Sequence, residues 1–230
     1  MSQSFEELAL FPLETVLFPY ATIQLHVFED RYRELVRDCI EFDRPFGIVL
    51  IREGREVGSG SDPYLVGTAV RIVRVHTYDD GRMDLQVQGE RRFRVRRFDD
   101  SGSYLVGHVE PVVELEGEDT PRAHALLSRA RESFQMLIQG LLWRPNFNVQ
   151  VIFPNDPVAL SFTIANLLPM ENRDKQRLLE TTDTLERLSG LLPILERQLL
   201  DVDKLREEFA EKQRAWRLRP ADLQEWINPN

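Results

Sequence analysis

One cysteine, three lysines and four histidines are spread over 230 residues, and each scarcity closes off a class of chemistry. Cys39 alone forms no internal disulfide and no Cys-rich zinc site, which suits a reducing compartment. It lies in RYRELVRDCI, a helical pattern, where a free thiol reads as core packing rather than as a nucleophile. Lys175, Lys204 and Lys212 all sit in charged helical surroundings. A Ser–Lys dyad needs a lysine desolvated beside its serine, and none of the three has an apolar context. His26, His76, His108 and His124 lack the close spacing of metal ligands. No Gly-x4-Gly-Lys-Ser/Thr run occurs, so no phosphate cradle of that type is encoded. Gly58-Ser59-Gly60-Ser61 is glycine-rich without a following helix pattern, which makes a poor phosphate loop. The residues predict no catalytic group, no metal and no cofactor.

Long apolar runs are missing too. None approaches the ~20 residues that span a bilayer. The start, MSQSFEELALF, has acids where a secretory signal would be basic, so the expectation is a cytoplasmic protein.

What is present is charge, unevenly placed. The formal net charge is -9, and residues 1–119 hold all of it, with 14 Arg against 23 Asp and Glu. Residues 120–230 balance at 15 of each sign. Inside the acidic half lies GERRFRVRR, residues 89 to 97, with five arginines from Arg91 to Arg97. A nucleic-acid stripe is one reading, but the surrounding field repels a phosphate backbone. Strand alternation is the simpler one: Phe93 and Val95 face a core while Arg92, Arg94 and Arg96 face water. Arg97 takes the apolar parity and Phe98 does not, which predicts a bulge or strand end there.

Residues 8–113 read as strands with one helix. LALFPLETVLFP, TIQLHVF and FGIVLI have strand character, and Glu29–Phe42 switches to helical spacing with Tyr32, Leu35, Val36, Cys39 and Ile40 on one face. REGREVGSGSDP has loop composition, and Asp80-Gly81 between strand patterns is a hairpin signal. Short strands joined by hairpins predict a small barrel or a strongly curved sheet. From Thr120-Pro121, an N-cap followed by a first-turn proline, the pattern turns helical. Its stripe is Ala123, Leu126, Leu127, Ala130, Phe134, Leu137, Ile138 and Leu141. Asp156-Pro157 starts a second helix, ENRDKQRLLE is a third, and Asp183 with Glu186 caps a fourth. Pro193 is expected to kink or restart that last helix. The division is residues 1–119 as a β-rich lobe and 120–230 as a helical lobe with a short tail.

FPLETVLFP, VGTAVRIVRV with Gly67 and Thr68, and DGRMDLQVQGERRFRV resemble the N-terminal substrate-recognition domain of Lon proteases. Gly89, Arg92 and Val95 fit the family's pattern of a strand glycine followed by Arg and a β-branched residue. DPVALSFTIANLLP, KQRLLE and TLERLSGLL resemble its helical part, in the same order. The resemblance implies an α+β fold: a six-stranded PUA-like β pseudobarrel followed by an α-helical bundle. It also implies a non-enzymatic module that binds polypeptide segments, including unfolded protein, without ATPase or protease parts. Strand addition to a sheet edge and apolar burial between lobes are the two physical routes. Trp143, Phe147 and Phe153 are the candidate groove residues, with ordinary interlobe core as their bland reading. Self-association through the C-terminal helix is the alternative. RNA binding, which a PUA-like fold would allow, is disfavoured by the acidic β lobe, and neither nucleic acid nor membrane is expected as a partner.

Overall fold

The computed structural model describes residues 5–54, 62–115, 120–142 and 153–217. The Gly-Ser run, Trp143, Phe147 and the tail from residue 218 lie outside the described residues. The strands are β1 (Glu6–Leu13), β2 (Thr22–Val27), β3 (Phe46–Glu53), β4 (Asp62–Pro63), β5 (Val66–Thr77), β6 (Met83–Asp99) and β7 (Val106–Pro111). A helix, α1 (Asp30–Glu41), separates β2 from β3.

Pairing runs β1-β7-β6-β5-β3, and β3 then pairs β1 in parallel, so the ladder returns on itself. All other pairings between these strands are antiparallel. Seven strands are described where six were expected. The extra element is β4, a two-residue rung on β3, too short to leave a pattern in the sequence. β6 is one strand of 17 residues that covers both MDLQVQGE and RRFRVRRF. Its register against β7 shifts between Val95 and Arg97, where the parity change placed a bulge.

The local signals act as expected at several points. The β5–β6 turn closes with Tyr78 N–H donating to the Arg82 carbonyl at 2.9 Å, and Gly81 supplies the positive φ of 85°. In α1, Tyr32, Leu35, Val36 and Cys39 are buried, while Ile40 is exposed against expectation. One residue past Cys39 the helix has rotated ~100°, which carries Ile40 to the edge of the buried face. Burial pushes the Cys39 thiol up to about 11, with Asp38 adding to the shift, so the group behaves as core rather than as a nucleophile.

Four helices follow the strands among the described residues: α2 (Pro121–Leu141), α3 (Pro157–Leu167), α4 (Asn172–Glu180) and α5 (Thr184–Arg217). Thr120 Oγ1 accepts from Ala123 N–H at 3.2 Å, and Asp156 Oδ2 accepts from Ala159 N–H at 2.7 Å. Asp183 Oδ1 accepts from Leu185 and Glu186 N–H at 2.8 and 3.1 Å. Each cap takes up helix-start donors that would otherwise lack partners. α5 runs through Pro193 without restarting, and α2 and α3 pack against it. Leu141, placed on the α2 stripe by spacing, is exposed where the helix ends.

One hydrophobic cluster spans strands and helices. Phe134, Leu160, Ile164, Leu188 and Leu195 pack in one cluster with Val16, Phe18, Leu50 and Val66 from the β lobe. A second cluster joins α1 to Phe11, Phe46, Ile48 and Val87, and a third centres on Phe93, Val95 and Val109.

Candidate functional site

Phe153 is the one predicted groove residue among the described residues. It is half-buried, with its ring 5.0 Å from Phe134 and tilted by 54°, and it packs on the helical core. The ring contact it makes is with a helix residue.

The junction between the lobes is built on Arg92. Strand alternation predicted this side chain in water, yet only 1% of it is exposed. Its Nη1 donates to the carbonyls of Leu179 and Thr181 at 2.5 and 2.8 Å, and its Nη2 donates to Glu114. Arg187, fully buried, donates to Thr181 O at 2.6 Å, to Ser161 Oγ at 2.8 Å and to the other oxygen of Glu114 at 3.1 Å. The two guanidinium carbons stand 5.3 and 4.0 Å from the centre of the Phe162 ring. One carboxylate and one aromatic ring thus serve two cations. Burial lowers the pKa of both arginines, and Glu114 counters it.

Backbone contacts complete the junction. Gln176 Nε2 donates to Val66 O at 3.0 Å, Asn172 reaches the Glu14 carbonyl, and Leu115 N–H donates to Thr182 O at 3.0 Å. The chain from Phe18 to Ala21 crosses β6 at Gly89, whose N–H donates to Ala21 O and whose carbonyl accepts from Tyr20 N–H. A Cβ at position 89 would lie 2.5 Å from Phe18 O, so the crossing requires glycine. Gly89 and Arg92 belong to the same motif, and its physical content is this crossing and this latch. No local signal in the sequence indicated what would cover Arg92.

Two surface grooves flank the ladder. One, about 600 Å³, lies beside the start of β1 and is lined by Glu6, Glu7, Asp38, Phe42 and Tyr104 among others. Tyr104 donates to Asp38 there at 2.6 Å. The other, about 460 Å³, lies between the end of β1 and β2 and is mostly apolar. Among the described residues no cluster of three or more His, Cys, Asp or Glu is placed to hold a metal ion. No described helix is long and apolar enough to cross a membrane.

The chain is similar to a Lon N-terminal domain protein from Xanthomonas campestris, whose crystal structure it matches at 35% identity and a TM-score of 0.60. That alignment covers 82% of this chain and 98% of the other. The N-terminal domain of Mycobacterium avium complex Lon protease shares the fold at 22% identity and a TM-score of 0.62, covering 83% and 98%. Lon protease of Escherichia coli K12 is 27% identical over 90% of this chain and 27% of its own length. Lon protease of Desulfovibrio desulfuricans is 29% identical over 81% and 21%. The chain therefore spans about a quarter of the length of these curated relatives. The pattern of the ATP-dependent protease La (LON) substrate-binding domain matches residues 7–197, and the chain belongs to that family.

Proposed function

We propose that this chain recognises polypeptide, binding extended and unfolded segments without consuming nucleotide and without catalysis of its own. The observation that carries this reading is the match to a substrate-binding domain over residues 7–197. The closed five-strand ladder supports assigning the β lobe to the PUA-like type, and the acidity of residues 1–119 supports polypeptide over RNA as its partner. The same reading places the protein in the cytoplasm.

Of the two physical routes, strand addition is favoured over a groove lined by Trp143, Phe147 and Phe153, because the Phe153 ring is engaged by the helical core. Binding is expected to be weak, since ordering a flexible peptide costs entropy that a shallow groove offsets only in part. Calorimetric titration with an unfolded model protein and with its native form tests the reading. The expected result is preference for the unfolded form, with a negative heat-capacity change from apolar burial. Equal binding of the two forms, or none, would overturn it and leave self-association, read by concentration-dependent mass, as the better account.

A further inference from the structure

One strand of the β lobe has an edge that no other strand takes. β6 covers one side of β2, from Thr22 opposite Gln88 to Val27 opposite Met83, and no second strand pairs with β2 among the described residues. Two hydrogen bonds fix the phase of the ladder. Gly89 N–H donates to Ala21 O at 2.9 Å on the β2 side, and Tyr78 N–H donates to Arg82 O at 2.9 Å on the β5 side. Both assign the backbone groups of Ile23, Leu25 and Val27 to β6 and direct those of Thr22, Gln24 and His26 outward.

The same small sheet has a second open edge, and the two are treated differently. Beyond Val70, β5 pairs only with β6 among the described residues, and its outer half carries Arg71 and Arg74 and a register shift between Ile72 and Arg74. Charges and bulges are the usual means of blocking strand addition. β2, with the sequence TIQLHV, has no formal charge, no proline and no register shift. Beside it lies the 460 Å³ groove, lined by Phe11, Leu13, Ile23 and Leu25, with Tyr32 stacked on Phe11 at 4.0 Å. Phe28 lines the groove as well and is 49% exposed.

Charge selects the occupant. Glu29, paired with Arg31 at 3.1 Å, is the one formally charged residue lining the groove, and residues 1–119 carry 14 Arg against 23 Asp and Glu. That net negative charge repels an acidic segment and attracts a basic one. We propose that the seam between β1 and β2 binds an extended polypeptide segment, apolar at alternate positions and flanked by basic residues, which adds to β2 as a strand. The proposal rests on the polypeptide-recognition reading above and assigns it to one edge.

The test uses fluorescent peptides of roughly ten residues, strand length, with alternating leucine and threonine and either lysines or glutamates at both ends. The lysine-flanked peptide is expected to bind about tenfold tighter at low salt, with the gap shrinking as salt screens the charges. Gln24→Pro removes one outward N–H without touching the β6 bonds and is expected to weaken binding about tenfold, whereas Gln24→Ala keeps the N–H and the affinity. Phe28→Ser, at an exposed position, carries the same test if the proline variant loses its circular dichroism spectrum. If the wild-type chain binds the peptide and Gln24→Pro, still folded, and Phe28→Ser bind it equally well, recognition lies elsewhere and this site is wrong. Equal binding of lysine- and glutamate-flanked peptides overturns the choice of occupant. If neither peptide nor unfolded protein binds the wild-type chain, the function itself falls with the site.

Discussion

Arg92 and Arg96 sit four residues apart on β6 and differ in almost everything but chemistry. The Arg92 side chain is 1% exposed and its partners come from the helical lobe. The Arg96 side chain is 52% exposed and its partner is Glu110 on the neighbouring strand, at 2.5 Å. The contrast lies in what covers each position. The carbonyls where α4 ends lie over Arg92, while Arg96 looks out at solvent past the bulge after Val95. Alternation along a strand assigns a side chain to a face; whether that face is wet depends on what the rest of the chain puts on it.

The largest effect that sharpens this comparison is expected at Arg92. Arg92→Ala leaves the Leu179 carbonyl without its donor and Glu114, itself a quarter exposed, with Arg187 alone. A loss of about 3–5 kcal/mol in urea denaturation is expected, as when one partner of a buried pair is removed. Phe93→Ala should cost about the same, 3–5 kcal/mol, by opening a cavity among Leu10, Val49 and Val109. Because Arg92 and Arg187 share Glu114 and the Phe162 ring, their substitutions should be non-additive by about 0.5–3 kcal/mol in a double-mutant cycle. Strict additivity would mean the junction is two independent contacts rather than one latch.

Much of this fold is written in short-range signals. The caps at Thr120, Asp156 and Asp183, the turn at Gly81 and the alternation of Phe93 and Val95 each depend on a few neighbouring residues, and all appear where spacing put them. Arg92 was misread because its cover comes from residues 179 and 181, almost ninety positions away in the chain. The open edge of β2 escaped for the same reason. TIQLHV reads as a strand, but nothing in it says that β6 pairs one side and that no described strand takes the other. The candidate aromatics were chosen for their residue type in a connecting segment, and for Phe153 that choice could not separate a groove wall from core packing. Residue type and spacing report local structure well and long-range cover poorly.

Cys39 extends the contrast between covered and open positions to protons. Its thiol is held up at about 11, mainly by burial, against 9.0 for the ordinary group. Because the folded value is raised, this contribution to stability is fully present below pH 9 and is lost as pH rises toward 11. The shift corresponds to something on the order of 2 kcal/mol. Thermal melts at increasing pH should therefore decline over that window, and Cys39→Ala should flatten the decline. The thiol should also resist alkylation at pH 8 until the protein unfolds. Rapid labelling of the native chain would mean that α1 opens readily.

The smallest effect is expected at the open arginines, and its smallness is the point. Arg96 pairs Glu110, Arg91 reaches Glu6 at 2.7 Å, and Arg97 meets His108 at 2.7 Å, all at the surface. The Glu110 carboxyl is held below its usual range, first by the hydrogen bond from Arg96, so the contact favours the ionised form and weakens as pH falls toward the carboxylate range. Water competes for both partners throughout, and ordering two long side chains offsets most of the attraction. Replacing Arg94 and Arg96 together with glutamine should leave the melting temperature within about 2 °C of wild type at pH 7. A drop as large as that of Arg92→Ala would erase the distinction between the two ends of the cluster. RNA affinity that is present in the wild type at moderate salt and vanishes in the double variant would reverse the assignment of these arginines to a solvated strand face.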